Sequence, residues 1–384
     1  MKLALSLGTS APLGSYARVQ RQNLAATYRL HRDTATLRLL AGQPSRRQQQ
    51  QVVAASASYD AGAAAAAGQP VEAQPAPAAA VVTKKKGSSL AKRAVFGTIL
   101  GLAGAVVIVS GGWLYAAVTC LVAFQASQEL IGMLNAKGIA AVLMPPPPLI
   151  NNVNSLLCVL FNLWVFVTSG RAASAMAVAT FVVLSLQLLA VEKPRFSQLS
   201  SSVFTLLYCG YLPSFWLKLR LVTAPAANSL ILQPWPHALG GPAHMTVGLV
   251  AVFITVLCII LADTGAYFFG KALGRTQLSS ISPKKTVEGA AGGLLCSIAG
   301  ALGCHALVAW PASPAAAAAL GTIIFFSSIF GDLIESVIKR EAGVKDASNL
   351  IPGHGGLLDR LDSYLFTGAV VYFYIKFLLP SYGL

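Results

Sequence analysis

Charged side chains are scarce in this sequence. Only 11% of its 384 residues are Asp, Glu, Lys or Arg, whereas 55% are apolar, and the mean hydropathy is +0.65. Soluble domains carry roughly 25% charged residues, so the composition excludes an ordinary soluble globule. It also excludes a wholly disordered chain, because disorder requires low hydrophobicity. The composition therefore predicts an integral membrane protein.

Paired cysteines and a Walker loop are also missing. The six Cys residues show no CxxC spacing, which excludes a zinc site or a disulfide framework of the usual form. The pattern GxxxxGK[ST] is absent as well, so the chain has no P-loop for nucleotide phosphates. Any nucleotide site must be built in another way.

Acidic residues are few near the N-terminus. Residues 1–93 hold 13 Lys and Arg but only 3 Asp and Glu, so they carry +10 of the net charge of +15. An Arg-rich, acid-poor and hydroxylated N-terminus is typical of a transit peptide. We therefore interpret residues 1–93 as a transit peptide and a disordered basic, Ala-rich leader. A basic tail that binds anionic lipid or nucleic acid is the alternative, and we expect no nucleic-acid partner. The Ala and Gln bias favours a plastid over a mitochondrion.

Long apolar runs fill the chain from Ala94 onward. A helix needs about 20 apolar residues to cross a bilayer. We predict that residues 94–384 form an all-α polytopic membrane domain with nine transmembrane helices, eight or ten being the alternatives. The predicted spans are 94–110, 112–132, 149–169, 172–191, 202–219, 245–268, 287–309, 314–334 and 358–379.

Basic residues favour one side of this domain. Loops 133–148, 192–201, 269–286 and 335–357 share the side of the N-terminus and carry most of the Lys and Arg residues. The positive-inside rule makes this side the inside, which is the stroma in a plastid. The same parity places loops 269–286 and 335–357 on one face, where they can build one site.

The acids of the membrane domain crowd into its C-terminal part. Asp263 lies late in a predicted span, where a carboxylate costs roughly 2.5–3.5 kcal/mol at the membrane centre, so we expect it to face a polar cavity, a cation or a metal. Solvation at the interface is the alternative for Asp263. Six further acids fall between 332 and 362, namely Asp332, Glu335, Glu341, Asp346, Asp359 and Asp362.

Segment 331–362 combines these acids with a glycine loop. Helical spacing puts Asp332 and Lys339 on one face, whereas 352–356 (Pro-Gly-His-Gly-Gly) cannot be helical and can approach a ligand closely. Asp359 and Asp362 follow on the next helix. Carboxylates from two helix ends suit Mg²⁺, and the nearby Lys and Arg side chains suit phosphate. A solvated loop held by ion pairs is the alternative.

A second motif precedes the span at 287. Ser282, Lys284, Lys285 and Thr286 stand before an apolar helix that Glu288 enters. A helix N-terminus flanked by cations is a ready anion site. An ordinary capped helix start is the alternative, but the acidic cluster beside it favours a nucleoside triphosphate.

Together these motifs resemble the CDP-diacylglycerol synthase (phosphatidate cytidylyltransferase) family. The resemblance covers about 94–384, and only the leader points to plastid members. It runs from Ser336 through Lys339-Arg340, Lys345-Asp346, Ser348 and Pro352-Gly353-His354-Gly355-Gly356 to Asp359-Arg360 and Asp362, with further blocks at 262–270, 282–289 and 331–332.

The resemblance implies that CTP and phosphatidate react to give CDP-diacylglycerol and pyrophosphate at a site with Mg²⁺ and a second cation, K⁺. The implied metal ligands are Asp263, Asp332, Asp359 and Asp362. The implied catalytic residues are Asp332, Lys339, Arg340, Lys345, Asp346 and His354. The implied substrate contacts are Ser282, Lys284, Lys285, Thr286, Gly353, Gly355, Gly356 and Arg360, with Arg220 for the lipid phosphate.

We expect His354 to act as a proton or hydrogen-bond partner or to shape its loop. The acyl chains are expected to enter from the lipid bilayer, and a homodimer is a further expectation. Two rival functions stay open, a CTP-dependent kinase of polyprenol or phytol and a secondary transporter. The sequence shows no internal repeat of the kind that transporters often carry.

Overall fold

A computed structural model describes residues 86–226, 245–348, 350 and 355–381 of the chain, and the side chains of 86–96 and of residue 142 are left out of the description. Residues 1–85 of the proposed leader 1–93 lie outside these ranges, and residues 86–93 fall in the first described helix, Lys86–Ser110. Gly353 and His354 also lie outside the described residues. The predicted boundary near residue 93 therefore stays a prediction.

Helices dominate the described part of the chain, which contains no strand. In chain order the helices are α1 (Lys86–Ser110), α2 (Gly112–Leu134), α3 (Lys137–Leu143), α4 (Pro148–Val167), α5 (Ala173–Ala190), α6 (Phe196–Thr205), α7 (Leu212–Arg220), α8 (Val247–Leu273), α9 (Val287–Val308), α10 (Pro314–Ala342), α11 (Leu358–Phe373) and α12 (Leu379–Ser381). A π-helical segment, Leu206–Tyr211, joins α6 to α7, and another, Tyr374–Leu378, joins α11 to α12. The prediction of an all-α polytopic membrane protein is confirmed.

Six of the described helices are long and apolar enough to cross a membrane. They are α2, α4, α5, α8, α9 and α10. The three other predicted spans, 94–110, 202–219 and 358–379, are also helical, but they coincide with α1, with the α6–α7 segment and with α11 and the π-helical segment that follows it. The count of nine spans stays a prediction.

Local sequence explains where the long helices begin and end. The hydroxyls of Thr246, Thr286 and Ser313 each accept a hydrogen bond from the backbone N–H three residues later, which caps α8, α9 and α10. Gly343 ends α10 in the left-handed region at φ 71°, a conformation that favours glycine. The polar loops therefore start at defined points.

Small residues let α8 and α9 pack closely. A Cβ added to Gly293 of α9 would lie 2.8 Å from the Ala262 carbonyl oxygen and 3.1 Å from the Ala266 Cβ of α8. Small residues allow this approach between membrane helices. The contact sets the late part of α8, which carries Asp263, against the first turns of α9.

The helices α10 and α11 also meet at a glycine. The backbone of Gly331 packs directly against the Asp362 carbonyl, which leaves no room for a Cβ. Asp332 follows Gly331 in the chain, so this crossing brings the acidic parts of the two helices together.

Amide side chains join α4 to α6 and to the π-helical segment Leu206–Tyr211 that follows it. A π-helical turn interrupts the regular hydrogen-bond ladder of an α-helix. The buried Asn154 donates to the Ser202 carbonyl at 3.0 Å, and the buried Asn162 donates to the Gly210 carbonyl at 3.0 Å. These buried hydrogen bonds hold α4 against the helix over 196–220 inside an apolar bundle.

Candidate active site

A cavity of about 550 Å³ lies among α8, α9, α10 and the loop before α9. It gathers six of the residues that the sequence singled out, from two separate motifs. These residues are Asp263, Ser282, Lys284, Lys285, Thr286 and Asp332. The predicted meeting of the 269–286 loop with the acidic segment is therefore seen for Asp332.

One face of α8 supplies a wall of the cavity. Asp263, Tyr267 and Lys271 stand at i, i+4 and i+8 and all line it, as helical spacing requires. The Lys271 Nζ lies 5.8 Å from the centre of the Tyr267 ring, within cation–π range. The sequence motifs did not single out Tyr267 and Lys271, although their helical spacing from Asp263 was a usable signal.

The loop before α9 is folded back by its own backbone and by Glu288. The Leu278 N–H donates to the Lys285 carbonyl at 2.9 Å, and the Val287 N–H donates to the Thr276 carbonyl at 2.9 Å. The Glu288 carboxylate accepts the N–H groups of Arg275 and Thr276, each at 3.1 Å. The result is a fixed loop that presents Ser282, Lys284 and Lys285 to the cavity.

Lys285 and Asp332 form an ion pair inside the cavity. The Lys285 Nζ lies 2.5 Å from the Asp332 Oδ2, and each side chain is 28% exposed. The Ser336 hydroxyl donates to the Asp332 Oδ1 at 3.3 Å from the next turn of α10. Both charged groups remain accessible to a ligand that enters the cavity.

The predicted four-carboxylate metal set is not assembled as one closed site. Asp263, Asp332 and Asp362 interact electrostatically with one another, but no three His, Cys, Asp or Glu side chains within the described ranges are arranged to hold an ion by themselves. Mg²⁺ is usually bound by only one or two carboxylates together with water and substrate phosphates. The two carboxylates that line the cavity, Asp263 and Asp332, fit that kind of site.

Asp359 belongs to a second, neighbouring cluster. Its Oδ1 lies 2.8 Å from the Lys339 Nζ, and its Oδ2 accepts the N–H groups of Ala347 and Gly356, each at 2.8 Å. Lys339 also pairs with Glu335, whose side chain is fully buried. The contacts give Asp359 the role of holding Lys339 and the loop, and its metal-binding role stays a prediction.

Glu129 of α2 was missed by sequence reasoning. It is 4% exposed, and its carboxylate accepts hydrogen bonds from the Ser348 hydroxyl at 2.8 Å and from the N–H groups of Leu357 and Leu358 at 2.9 and 2.7 Å. The available signal was the same as for Asp263, an acid within an apolar span.

The other predicted residues lie around this second cluster. Gly355 has φ 83°, and a Cβ there would lie 2.8 Å from the Asp359 Oδ2 and 3.5 Å from the Asp346 Cβ, so Asp346 and Asp359 flank the glycine. Gly356 is buried. Four of the predicted residues on the same segments are exposed, namely Arg340, Lys345, Asp346 and Arg360.

Arg220 is not brought to the cavity, and the expectation that it holds the lipid phosphate there does not fit its position. Its guanidinium donates to the Ile108 and Val109 carbonyls at 3.0 and 3.3 Å, at the C-terminal end of α1. Its own carbonyl packs against Gly248 at the start of α8. Fifteen residues of helix, about 22 Å, separate Gly248 from Asp263. Arg220 therefore satisfies a helix end at the opposite end of α8.

Comparisons with known proteins place these features in a family. A family model described as "Cytidylyltransferase family" matches residues 91–378. The chain is 47% identical to phosphatidate cytidylyltransferase 4, chloroplastic, of Arabidopsis thaliana, over 78% of this chain and 77% of the relative. It is 46% identical to phosphatidate cytidylyltransferase 5, chloroplastic, of the same plant, over 76% of this chain and 73% of the relative. It is 40% identical to a phosphatidate cytidylyltransferase of Synechocystis, over 74% of this chain and 97% of the relative. The matched range contains both α8–α10 and the glycine loop, and the chain belongs to the cytidylyltransferase family.

Proposed function

We propose that this chain is a phosphatidate cytidylyltransferase, a membrane nucleotidyltransferase that converts CTP and phosphatidate to CDP-diacylglycerol and pyrophosphate. The observation that carries the proposal is the cavity among α8, α9 and α10, where lysines and carboxylates meet on helices of membrane-spanning length. Two phosphorylated substrates repel each other, and such a site offsets that repulsion. The names of the relatives at 40–47% identity agree with this activity.

The reaction needs no side chain as nucleophile. A phosphate oxygen of phosphatidate attacks the α-phosphorus of CTP, a P–O bond forms, and the bond from that phosphorus to the oxygen bridging it to the β-phosphorus breaks. Pyrophosphate leaves with the electron pair. The protein must hold the two phosphates in line and stabilise the charge on the leaving group.

The cations of the cavity are the proposed phosphate contacts. Lys284, Lys285 and Lys271 line it, and Ser282 adds a hydroxyl. The N-terminus of α9, capped by Thr286, points a helix dipole toward the same space. We further propose that Lys339, Arg340, Lys345 and Arg360 extend this basic surface toward the glycine loop.

Asp263 and Asp332, with Asp362 beside them, would hold Mg²⁺, and Asp359 instead positions Lys339. When bound, the ion neutralises phosphate charge and orients the transferred group. The proposal is supported by the oxygen-only donor set and by the open cavity, which leaves ligand positions for phosphate. A second cation, K⁺, stays a prediction.

We also propose a plastid membrane as the location, with the cavity toward the stroma. Two relatives carry "chloroplastic" in their names, and the leader has transit-peptide composition. The lipid substrate would reach the cavity from the bilayer past the exposed rings of Tyr267 and Phe268, which are 61% and 62% exposed. A homodimer stays a prediction.

The test is transfer of labelled CTP in purified membranes. With phosphatidate and Mg²⁺, label from α-³²P-CTP should enter the lipid fraction, and label from γ-³²P-CTP should leave as pyrophosphate. The opposite result, with γ-label in lipid and α-label in solution, would establish a CTP-dependent lipid kinase and overturn the proposal. Membranes that carry the Asp332→Asn variant provide the matched control.

A further inference from the structure

Glu129 contacts a segment that lies far from it along the chain. It sits on α2, and its hydrogen-bond partners Ser348, Leu357 and Leu358 lie 219 to 229 residues later. Gln125, one turn earlier on α2, adds a fourth hydrogen bond at 3.2 Å. Glu129 does not line the cavity, so the proposed chemistry leaves this buried group without a task.

All four partners are hydrogen-bond donors. An ionised carboxylate accepts only, and it can take several donors at once. Leu357 and Leu358 open α11, where the first backbone N–H groups have no partner within the helix. A negative charge at this helix end is also stabilised by the helix dipole. The surroundings of Glu129 therefore match an anion that fastens the start of α11.

Glu129 and Asp359 hold the same loop from two directions. Asp359 accepts the N–H groups of Ala347 and Gly356, and Glu129 accepts the neighbouring groups of Ser348 and Leu357. Gly356 lies between the two carboxylates, because a Cβ there would be 2.6 Å from the Glu129 Oε2. Both ends of the loop are thus joined twice.

We propose that Glu129 is a positioning residue for cytidylyl transfer. It fixes Ser348 and the first turn of α11, and through them it sets Asp359 against Lys339. The inference rests on the proposed function and deepens it, because it assigns to α2 a part of the active site that the motifs of the C-terminal third do not contain. A displacement of about 1 Å in a catalytic group can lower a rate on the order of 10²-fold.

The first experiment tests whether Glu129 anchors the start of α11, and it does not depend on enzymatic activity. Hydrogen exchange is followed in the detergent-purified full chain for peptides that cover the start of α11 and, as an internal reference, the loop before α9. Glu129→Gln keeps the size of the side chain but turns an NH₂ group toward donors. We expect the amides of Leu357 and Leu358 to exchange at least about tenfold faster, and the reference loop to stay unchanged.

The second experiment is a double-mutant cycle on kcat/KM for CTP. Glu129→Gln alone should lower kcat/KM on the order of 10²-fold. Because Glu129 acts through Asp359, the same change in an Asp359→Asn background should lower it by less than about threefold. Glu129→Asp retains the charge and should recover part of the loss. Glu192→Gln, an exposed acid in the loop between α5 and α6, is the matched control and should behave as the unchanged chain.

The outcomes separate the two proposals. If hydrogen exchange at Leu357 and Leu358 is unchanged both in Glu129→Gln and in Ser348→Ala, Glu129 does not anchor the start of α11. If the two kinetic effects simply multiply, Glu129 acts independently of Asp359 and the positioning role is wrong. If the unchanged chain transfers no α-label to lipid, the proposed function fails, while the exchange result still decides whether Glu129 anchors the loop.

Discussion

Lys285 and Asp332 neutralise each other in the cavity. Both side chains are 28% exposed, and an ion pair with that much exposure contributes only about 0–1 kcal/mol. A phosphate can therefore take Lys285 from Asp332 at little cost, and under the proposed function the released carboxylate would be available to hold Mg²⁺. The ion pair holds the two side chains together in the absence of a ligand, and a phosphate can replace it.

Asp332→Asn should change the metal requirement of the enzyme. The variant keeps the volume of the side chain but removes a charged oxygen ligand. We expect activity to fall at least about 10²-fold, in the range seen for lost electrostatic stabilisation, and half-maximal activity to need more Mg²⁺. The measurement is label transfer as a function of Mg²⁺ concentration.

Asp359→Asn should lower activity by a different route. It weakens the contact to Lys339 and leaves the N–H groups of Ala347 and Gly356 with one acceptor oxygen fewer. We expect activity to fall with the Mg²⁺ concentration at half-maximum unchanged. A shift equal to that of Asp332→Asn would instead make Asp359 a metal ligand, as the sequence first predicted.

Much of the site could be predicted from single residues, and the exceptions have physical causes. Asp332 and Lys285 come from separate motifs, and loop parity placed both on one face. The partner of Asp359 could not be predicted, because a carboxylate binds a metal ion or a lysine ammonium group equally well. Only the distance to Lys339 decides between them. An acid within an apolar span was a usable signal for Glu129, but its contacts could not be predicted, because two of its four donors are the backbone amides of Leu357 and Leu358, which leave no mark in a sequence.

Among the secondary-structure elements, α8 and α9 form the scaffold of the cavity. Their apolar length predicts both as spans, and the Thr-capped start of α9 follows from a Ser/Pro/Lys/Thr motif. The π-helical segment between α6 and α7 was not predicted, because hydropathy reports whether a segment is apolar and not how its hydrogen bonds are shifted. The helix over 196–220 is continuous there, but it includes the π-helical segment Leu206–Tyr211, whose Gly210 carbonyl accepts a hydrogen bond from Asn162.

Gly293→Ala should destabilise this scaffold. The new Cβ would lie 2.8 Å from the Ala262 carbonyl oxygen, so α8 and α9 must move apart. Overpacking of this kind costs about 1–3 kcal/mol, and we expect a lower Tm in detergent together with reduced activity. Gly303→Ala in the same helix is the control, since a Cβ there meets nothing within 4 Å. Equal Tm values for the two variants would contradict the close approach.

For the whole molecule, the net charge of +15 separates into two parts. The +10 of residues 1–93 belongs to the proposed leader, and the remaining +5 of the membrane domain gathers in loops of one predicted face. The cavity lies at the α8–α9 loop, which is on that face. Net charge alone predicts a basic membrane protein, and only the positions of the charges indicate a site for anions.

The orientation can be checked with single cysteines in a background without the six native ones. Two helices separate Ser280 from Glu341, and α5, α6–α7 and α8 separate Arg171 from Ser280. In sealed vesicles, a membrane-impermeant maleimide should therefore label Ser280→Cys and Glu341→Cys from one side and Arg171→Cys from the other. Labelling of all three cysteines from one side would show that the predicted membrane topology is wrong.

The contact of Glu129 with α11 sets an order for assembly. A chain imported behind the proposed N-terminal leader delivers α2 to the membrane before the segment that carries Ser348, Leu357 and Leu358. Until that segment arrives, a carboxylate meant for four donors sits in an apolar helix with only Gln125 beside it. The last third of the chain thus completes one of the first helices, and a chain truncated before Ser348 keeps an acid in an apolar helix with only one of its four donors.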